Sequence, residues 1–202
     1  MMTLANKLTF FRMFLSPVFF IVYLFPRFFP QLCNGSAVWT VPALWVIFVA
    51  SEITDMLDGM VARKRNETSD FGKLFDPFAD TLMQLTCFLC FVLDGLLPAV
   101  LFLLIIYREF GILFIRNLML KKGIAMGARM SGKIKTVTYI IASGCALLTA
   151  SFQRLAESER FSTFESLYQS FKTVTLIVFI ISVVISIISF FDYLLIFRRA
   201  KS

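Results

Sequence analysis

Long runs of apolar residues separated by short polar stretches make up most of this chain. A helix needs about 20 apolar residues to cross the hydrocarbon core of a bilayer, and six of the runs approach or exceed that length. The predicted spans cover about residues 8–26, 39–62, 76–94, 97–119, 133–152 and 171–197. The pattern therefore predicts an all-α polytopic membrane protein with six transmembrane helices, in which residues 1–202 form a single domain.

The composition supports a membrane protein and argues against a soluble one. Hydrophobic residues make up 58% of the 202 residues and charged residues only 16%, and a soluble domain of this length could not bury so much apolar surface. The net charge is +7. Because the basic residues stand at the ends of apolar runs, they indicate membrane topology, and we expect no nucleic-acid partner.

Basic residues also predict the orientation of the chain. Lys7, the loop at 63–73, the loop at 121–135 and the tail at 198–201 all fall on one side of a six-helix layout. Short basic loops stay in the cytoplasm, so both termini should be cytoplasmic. We expect an integral protein of a bacterial inner (plasma) membrane.

The absence of histidine narrows the possible chemistry. Without any histidine, Ser-His-Asp triads and histidine-based zinc sites are excluded, and a metal would need oxygen or thiolate ligands. Cys87 and Cys90 form a CxxC pattern, but they lie inside the apolar run "LTCFLCFVL". That position favours helix packing over a redox or zinc site.

The most polar segment of the chain is "DMLDGMVARKRNETSDFGKLFDPFAD", residues 55–80. Asp55 and Asp58 share a face at the end of predicted helix two, and Asp76 and Asp80 share a face at the start of helix three. The intervening loop reverses the chain, so four carboxylates should converge at the cytoplasmic interface. Such crowded anions need cations, and oxygen ligands suit Mg²⁺, Mn²⁺ or Ca²⁺. Two metal ions there would suit phosphoryl transfer.

Small and basic residues accompany these aspartates at fixed spacing. Gly59, Ala62 and Gly72 remove bulk beside the carboxylates, and Arg63 can grip a phosphate. For any single aspartate, pairing with a nearby Lys or Arg at the lipid headgroups is the simpler interpretation. That interpretation gives the two glycines and Ala62 no role.

The full pattern is Asp55-x2-Asp58-Gly59-x2-Ala62-Arg63-x8-Gly72-x3-Asp76-x3-Asp80, and it resembles the signature of the CDP-alcohol phosphatidyltransferases. The resemblance implies that an alcohol attacks a CDP-linked lipid and that CMP leaves. It implies metal ligation by Asp55, Asp58, Asp76 and Asp80, with two Mg²⁺ or Mn²⁺ ions. It makes Asp80 the catalytic base as well, and it implies a homodimer. The residues expected to contact the CDP-lipid are Asp58, Gly59, Ala62, Arg63 and Gly72.

Other segments bear on the acceptor alcohol. "NKLTFFRMFLSP", "YREFGILFIRNLMLKKG" and "SGKIKT" resemble the phosphatidylglycerophosphate synthases within that family, although Tyr139 stands where we expect glutamine. The resemblance implies CDP-diacylglycerol and glycerol 3-phosphate as substrates.

Four basic residues are candidates for binding the phosphate of that acceptor: Arg108, Arg116, Lys133 and Lys135. Alternatively, the two lysines snorkel to the interface, and Arg108 pairs with Glu109 or Asp94.

Other functions remain open from the sequence. Within the family, the acceptor could be inositol phosphate, serine or choline. Intramembrane prenyltransferases also hold diphosphates with aspartates and Mg²⁺, but they lack this spacing of glycines. A cation channel or transporter would place its carboxylates along a pore at membrane depth, whereas these collect at one interface.

Overall fold

The computed structural model describes residues 4–33, 37–65, 70–121, 123, 130–157 and 164–199, and the side chains of residues 8–33, 37–57, 75–121, 123, 130–157 and 164–198. This part of the chain is all-helical, which confirms the predicted fold class. The six helices are α1 (Leu4–Phe28), α2 (Thr40–Arg65), α3 (Asp70–Leu93), α4 (Ala99–Lys121), α5 (Met130–Ala156) and α6 (Phe164–Arg199).

Five helices of the described chain are long and apolar enough to cross a membrane, and α4 is the exception. The 23 residues of α4 correspond to a length of about 35 Å, which is sufficient for a bilayer. Its apolar run, however, is interrupted by Arg108, Glu109 and Arg116. Charged residues at such depth usually serve a function, so the departure of α4 from a simple span points towards the site.

The last helix is longer than its apolar run. We predicted a start near residue 171, but α6 begins at Phe164 and has 36 residues. An i,i+4 side-chain pair stabilises the additional turns, since Gln169 Nε2 donates to Glu165 Oε1 at 3.1 Å. Ser170 Oγ also donates to the Ser166 carbonyl at 3.0 Å, so both polar groups are satisfied within the helix. Hydropathy marks only the membrane-buried part of a helix, and these i,i+4 contacts extend it beyond that part.

The helices alternate in direction, so the bundle has two distinct ends. Thr9, near the start of α1, contacts Asp76 near the start of α3. Tyr23, near the end of α1, contacts Asp94 just after α3. We call the end that contains Thr9 and Asp76 the site end, and the end that contains Tyr23 and Asp94 the opposite end. The starts of α1, α3 and α5 lie at the site end with the ends of α2, α4 and α6.

Small residues and aromatic rings fill the centre of the bundle. The most extensive contact is between α5 and α6, where Ala142, Ala146 and Ala150 are buried and allow the two helices to approach closely. Phe88 makes edge-on contacts at 5.3 Å with the rings of both Tyr139 and Phe179. The four cysteines are free thiols, and Cys87 and Cys90 are buried among the apolar side chains of the core.

Candidate functional site

Helix α1 contacts the three motif aspartates whose side chains are described. Thr9 Oγ1 donates a hydrogen bond of 2.6 Å to Asp76 Oδ1. Arg12 Nη1 lies 2.7 Å from Asp55 Oδ1 and also contacts Asp80 Oδ1. Thr9 and Arg12 are three residues apart, and therefore on one face of α1, and α1 packs against both α2 and α3. The first helix thus joins the two halves of the aspartate motif.

The rest of the motif lies on described backbone but outside the described side chains. Asp58, Gly59, Ala62 and Arg63 belong to the last turns of α2, and Gly72 belongs to the first turn of α3. Their helical setting agrees with the predicted spacing. The contacts that we expect them to make with a CDP-lipid remain predictions.

A cavity of about 230 Å³ opens beside Asp55 and Asp80. Its wall includes all four basic residues that we proposed from the sequence for acceptor binding, namely Arg108, Arg116, Lys133 and Lys135. Asp76 is not part of this wall. The structure therefore brings two of the motif carboxylates and the four basic residues to one space, drawn from helices α2, α3, α4 and α5.

Arg108 is held by the protein itself rather than left free for a ligand. Its Nη1 lies 2.9 Å from Glu109 Oε1, its Nε donates to the Ser186 carbonyl at 3.3 Å, and its Nη2 donates to Ser189 Oγ at 3.1 Å. Lys135 Nζ lies 2.8 Å from the same Glu109 oxygen. Of the two acids we considered as partners of Arg108, the structure selects Glu109. Arg108 therefore fixes Glu109 to α6, and Glu109 in turn fixes Lys135.

Arg116 and Lys133 keep more of their hydrogen-bonding capacity. Arg116 Nη2 donates to Tyr193 Oη at 3.1 Å, while its buried Nε has no hydrogen-bond partner among the described residues. Lys133 is exposed at the wall of the cavity. A cation with unused N–H groups beside a cavity is suited to an anionic ligand.

Several residues of this site were missed from the sequence. Thr9 and Arg12 lie in the segment "NKLTFFRMFLSP", whose resemblance to the family assigns neither of them to the site. Glu52 precedes Asp55 by one helical turn and lines the cavity, and that spacing could have identified it. Tyr193, from distant α6, also lines the cavity, but its sequence neighbourhood is generic membrane helix and gave no signal.

Tyr139, the departure from the expected pattern, lies beneath the basic residues. Its hydroxyl is 2.7 Å from Ser186 Oγ, and Lys135 Nζ lies 4.3 Å from its ring centroid. The ring is fully buried against Phe88. Tyr139 thus stabilises Lys135 through a cation–π contact.

The donor set suits a hard cation, although the described residues alone do not complete a metal site. Among the side chains that the structure describes, no three acids or cysteines gather closely enough to hold a metal ion, and Asp58 is outside that set. Asp55 and Asp80 nevertheless reach one cationic nitrogen of Arg12. Two carboxylates that share one positive centre, with only oxygen donors, fit Mg²⁺ or Mn²⁺ by the chemistry of their ligands.

Comparison with known proteins identifies the family of this chain. A family model described as CDP-alcohol phosphatidyltransferase matches residues 2–197. A CDP-diacylglycerol–glycerol-3-phosphate 3-phosphatidyltransferase of Treponema pallidum is 38% identical over 197 residues, which are 96% of this chain and 88% of the relative. Its namesake in Bacillus subtilis is 37% identical over 150 residues, 73% of this chain and 78% of the relative. A probable phosphatidylglycerophosphate synthase of Mycobacterium tuberculosis is 32% identical over 148 residues, 73% of this chain and 67% of the relative. This chain belongs to the CDP-alcohol phosphatidyltransferase family.

Proposed function

We propose that this integral membrane protein transfers the phosphatidyl group of CDP-diacylglycerol to glycerol 3-phosphate, which forms phosphatidylglycerophosphate and releases CMP. One observation carries the proposal: a single cavity is lined both by motif carboxylates from α2 and α3 and by a group of basic residues from α4 and α5. The acids suit a donor diphosphate and its cations, and the basic residues suit an acceptor that is itself a phosphate. The names of the Treponema and Bacillus relatives agree with this pair of substrates.

The reaction replaces one phosphorus–oxygen bond by another. A glycerol hydroxyl attacks the phosphorus that carries diacylglycerol, the bond from that phosphorus to the CMP oxygen breaks, and CMP leaves with the electron pair. Asp80 accepts the proton of the hydroxyl. Its side chain is 45% exposed and lines the cavity, so a hydroxyl can approach it. A positioned carboxylate base contributes roughly 10²- to 10⁴-fold to such a step.

The acceptor phosphate is bound by Arg116, Lys133 and Lys135. Arg116 supplies unused N–H groups, Lys133 supplies an accessible ammonium, and Glu109 holds Lys135 at the wall by a contact of 2.8 Å. Arg108 has a supporting role, since its three described contacts are to protein atoms. Serine and choline carry no phosphate dianion, so a wall with this much positive charge favours a phosphorylated acceptor.

The donor is bound by the motif. Asp55, Asp58, Asp76 and Asp80 would hold two Mg²⁺ or Mn²⁺ ions, which when bound supply positive charge to the donor diphosphate. Asp58, Gly59, Ala62, Arg63 and Gly72 lie against the CDP group in this proposal. Thr9 orients Asp76 by its hydrogen bond of 2.6 Å.

The site end faces the cytoplasm in this proposal, with both termini on that side. The support is the location of the basic segments at 63–73 and 121–135 and of the basic tail, because positively charged segments that flank membrane spans remain cytoplasmic. Soluble glycerol 3-phosphate and CMP can then exchange with the cytoplasm. The homodimer expected from the family resemblance remains a prediction.

A cation channel is less well supported than an enzyme. The described centre of the bundle is filled by the rings of Phe88, Tyr139 and Phe179. The carboxylates lie at one end of the bundle instead of along a path through it. This arrangement suits a site that is open to one side.

The decisive experiment measures CMP release by the purified protein in detergent with CDP-diacylglycerol and Mg²⁺. Glycerol 3-phosphate, inositol 1-phosphate, serine and choline are supplied separately. We expect CMP only with glycerol 3-phosphate, and no CMP from Asp80→Asn with any acceptor. Release with another acceptor would overturn the assigned alcohol but keep the reaction. A folded protein that releases no CMP with any of the four would overturn the enzyme itself.

A further inference from the structure

Arg12 is a buried cation in contact with two carboxylates that are not themselves buried. Its side chain is 2% exposed, whereas the side chains of Asp55 and Asp80 are 44% and 45% exposed. A guanidinium so deeply buried loses its hydration and needs hydrogen-bond acceptors within the protein, and for Arg12 these acceptors are anionic. The carboxylates do not need Arg12 in the same way, because they also face the cavity.

Two of the contacts of Arg12 are made by the same nitrogen. Nη1 is 2.7 Å from Asp55 Oδ1, and the same atom contacts Asp80 Oδ1. A single positive centre therefore draws together an acid of α2 and an acid of α3. These are two of the carboxylates for which the proposed function assigns metal binding.

We propose that Arg12 is a positioning residue that acts as an internal cation of the aspartate motif. It holds Asp55 and Asp80 together when no divalent ion is bound, and it competes with that ion for the same carboxylate oxygens. This inference rests on the metal binding included in the proposed function.

The physical reason is mutual charge repulsion. Without a cation, Asp55 and Asp80 would repel each other and push the ends of α2 and α3 apart. Arg12 cancels that repulsion and ties both helices to α1. An Oδ1 lone pair directed at the guanidinium is not available to a metal, so a cation that uses that oxygen displaces Arg12 from it. A cation that binds through the other oxygen is still opposed by the positive charge of Arg12 nearby. Arg12 is one of the residues that line the cavity, so N–H groups released from an acid would be close to the space where the anionic substrates bind.

Thr9 extends the same coupling to a third acid. It is fully buried and donates to Asp76 one helical turn away from the contact between Arg12 and Asp80. Helix α1 thus contacts three motif carboxylates through the side chains of Thr9 and Arg12. Loading of the site with cations should therefore change the stability of the packing between α1 and the helices α2 and α3.

The test measures Mn²⁺ binding by electron paramagnetic resonance, with purified protein in detergent and no substrate. Arg12→Gln removes the competing charge, and we expect it to bind Mn²⁺ about tenfold more tightly than the unmodified protein, within the usual range of coupling between two ligands. Arg12→Lys keeps one positive charge and should bind Mn²⁺ close to the unmodified affinity. Arg27→Gln is the matched control, because Arg27 contacts only the Leu93 carbonyl in the described residues, at the opposite end, and should leave Mn²⁺ affinity unchanged.

Thermal unfolding provides a second readout that does not depend on turnover. In EDTA, Arg12→Gln should unfold at a lower temperature than the unmodified protein. Added Mg²⁺ should raise the unfolding temperature of Arg12→Gln by more than it raises that of the unmodified protein. If Arg12→Gln does not fold without metal, Arg12→Lys keeps the proposal falsifiable: a change in Mn²⁺ affinity of more than about threefold, with the positive charge retained, would overturn it.

Unchanged or weaker Mn²⁺ binding by Arg12→Gln would overturn the proposal, because Arg12 would then be neutral towards the metal or would preorganise its site. Absence of Mn²⁺ binding by both proteins would also overturn it. CMP release by the unmodified protein is measured in the same preparation. Its absence would remove the proposed function, while the comparison of Mn²⁺ affinities would still decide the role of Arg12.

Discussion

The two ends of the bundle each contain a buried arginine, but the two arginines have different kinds of partners. At the opposite end, Arg154 donates from Nη1 to Thr40 Oγ1 at 2.6 Å and from Nη2 to the Tyr23 carbonyl at 3.0 Å, and its guanidinium lies 4.3 Å from the Tyr23 ring centroid. Its partners are neutral groups, and Thr40 and Tyr23 are themselves buried. At the site end, Arg12 contacts two acids that are nearly half exposed.

This difference separates a structural cluster from a candidate functional one. A buried arginine that is satisfied by buried neutral groups fixes α1, α2 and α5 to one another and leaves nothing for a ligand. A buried arginine whose acids face a cavity leaves those acids accessible to cations and substrates. The burial of a charge alone therefore does not identify a functional site, whereas the exposure of its partners does.

Replacement of the proposed base should give the largest effect and make the two ends most distinct. Asp80→Asn at the site end should reduce turnover by about 10³-fold or more, because it removes the proton acceptor, while binding of CDP-diacylglycerol is largely retained. Asp94→Asn is the matched substitution at the opposite end. Its amide oxygen can still accept the hydrogen bond of 2.7 Å that Tyr23 Oη now donates to Asp94, so turnover should stay within about threefold.

Both Asp80→Asn and Asp94→Asn are assayed by CMP release and by binding of radiolabelled CDP-diacylglycerol. Loss of folding in Asp80→Asn would argue against a purely catalytic role for Asp80. An equal loss of turnover in both variants would remove the distinction between the ends.

Replacement of Arg154, the structural arginine at the opposite end, should lower the stability of the protein without changing its catalysis. Arg154→Met keeps the bulk of the side chain but removes two hydrogen bonds and the contact with the Tyr23 ring, so stability should fall by about 2–4 kcal/mol. The Michaelis constants of the protein that remains folded should be unchanged, because Arg154 is remote from the cavity. Thermal unfolding and initial rates on the same sample test this. A raised KM for either substrate would show that the two ends are coupled.

The sequence predicted the frame of the molecule well. Six apolar runs were enough to predict six helices, because hydrophobic periodicity is a local property. The spacing in the segment at 55–80 predicted that aspartates of α2 and α3 converge, and Asp55 and Asp80 do so at Arg12. The early start of α6 at Phe164 was missed, since polar i,i+4 contacts and not hydropathy stabilise those turns.

The partners of the predicted site residues were much harder to predict. Arg12 and Asp55 are 43 residues apart, and Arg108 and Ser189 are 81 apart, so only the packing of whole helices brings them together. Arg108 is an example of a residue whose partners could not be predicted. From its position on α4 it was a candidate for phosphate binding, but its described contacts are all to the protein. Sequence spacing predicts which residues share one face of a helix. It does not predict which side chains of a neighbouring helix contact that face.

Arg116 provides a sharper test of which basic residues meet the acceptor. Arg116→Gln should raise the KM for glycerol 3-phosphate by about 10- to 100-fold, since a charge-assisted hydrogen bond is worth about 1.5–3 kcal/mol, with a smaller change in the KM for CDP-diacylglycerol. Tyr193→Phe is the control, because it removes only the hydroxyl that accepts from Arg116 at 3.1 Å and leaves the charge in place. Equal increases in both Michaelis constants would indicate general damage to the cavity instead of loss of an acceptor contact.

The smallest effect is expected from Lys133, the most exposed of the basic residues on the cavity wall. Lys133→Gln should raise the KM for glycerol 3-phosphate only about two- to fivefold, because an exposed charge is worth at most about 1 kcal/mol. The difference from the unmodified protein should shrink as salt is raised from 50 to 500 mM, since the Debye length falls from roughly 14 Å to 4 Å. Lys135→Gln should behave differently, with a larger effect that persists in salt, because Lys135 is held 2.8 Å from buried Glu109. If the two lysines respond equally to salt, the distinction between an accessible cation and a fixed one on this wall is wrong, and both act only through the general positive field of the site end.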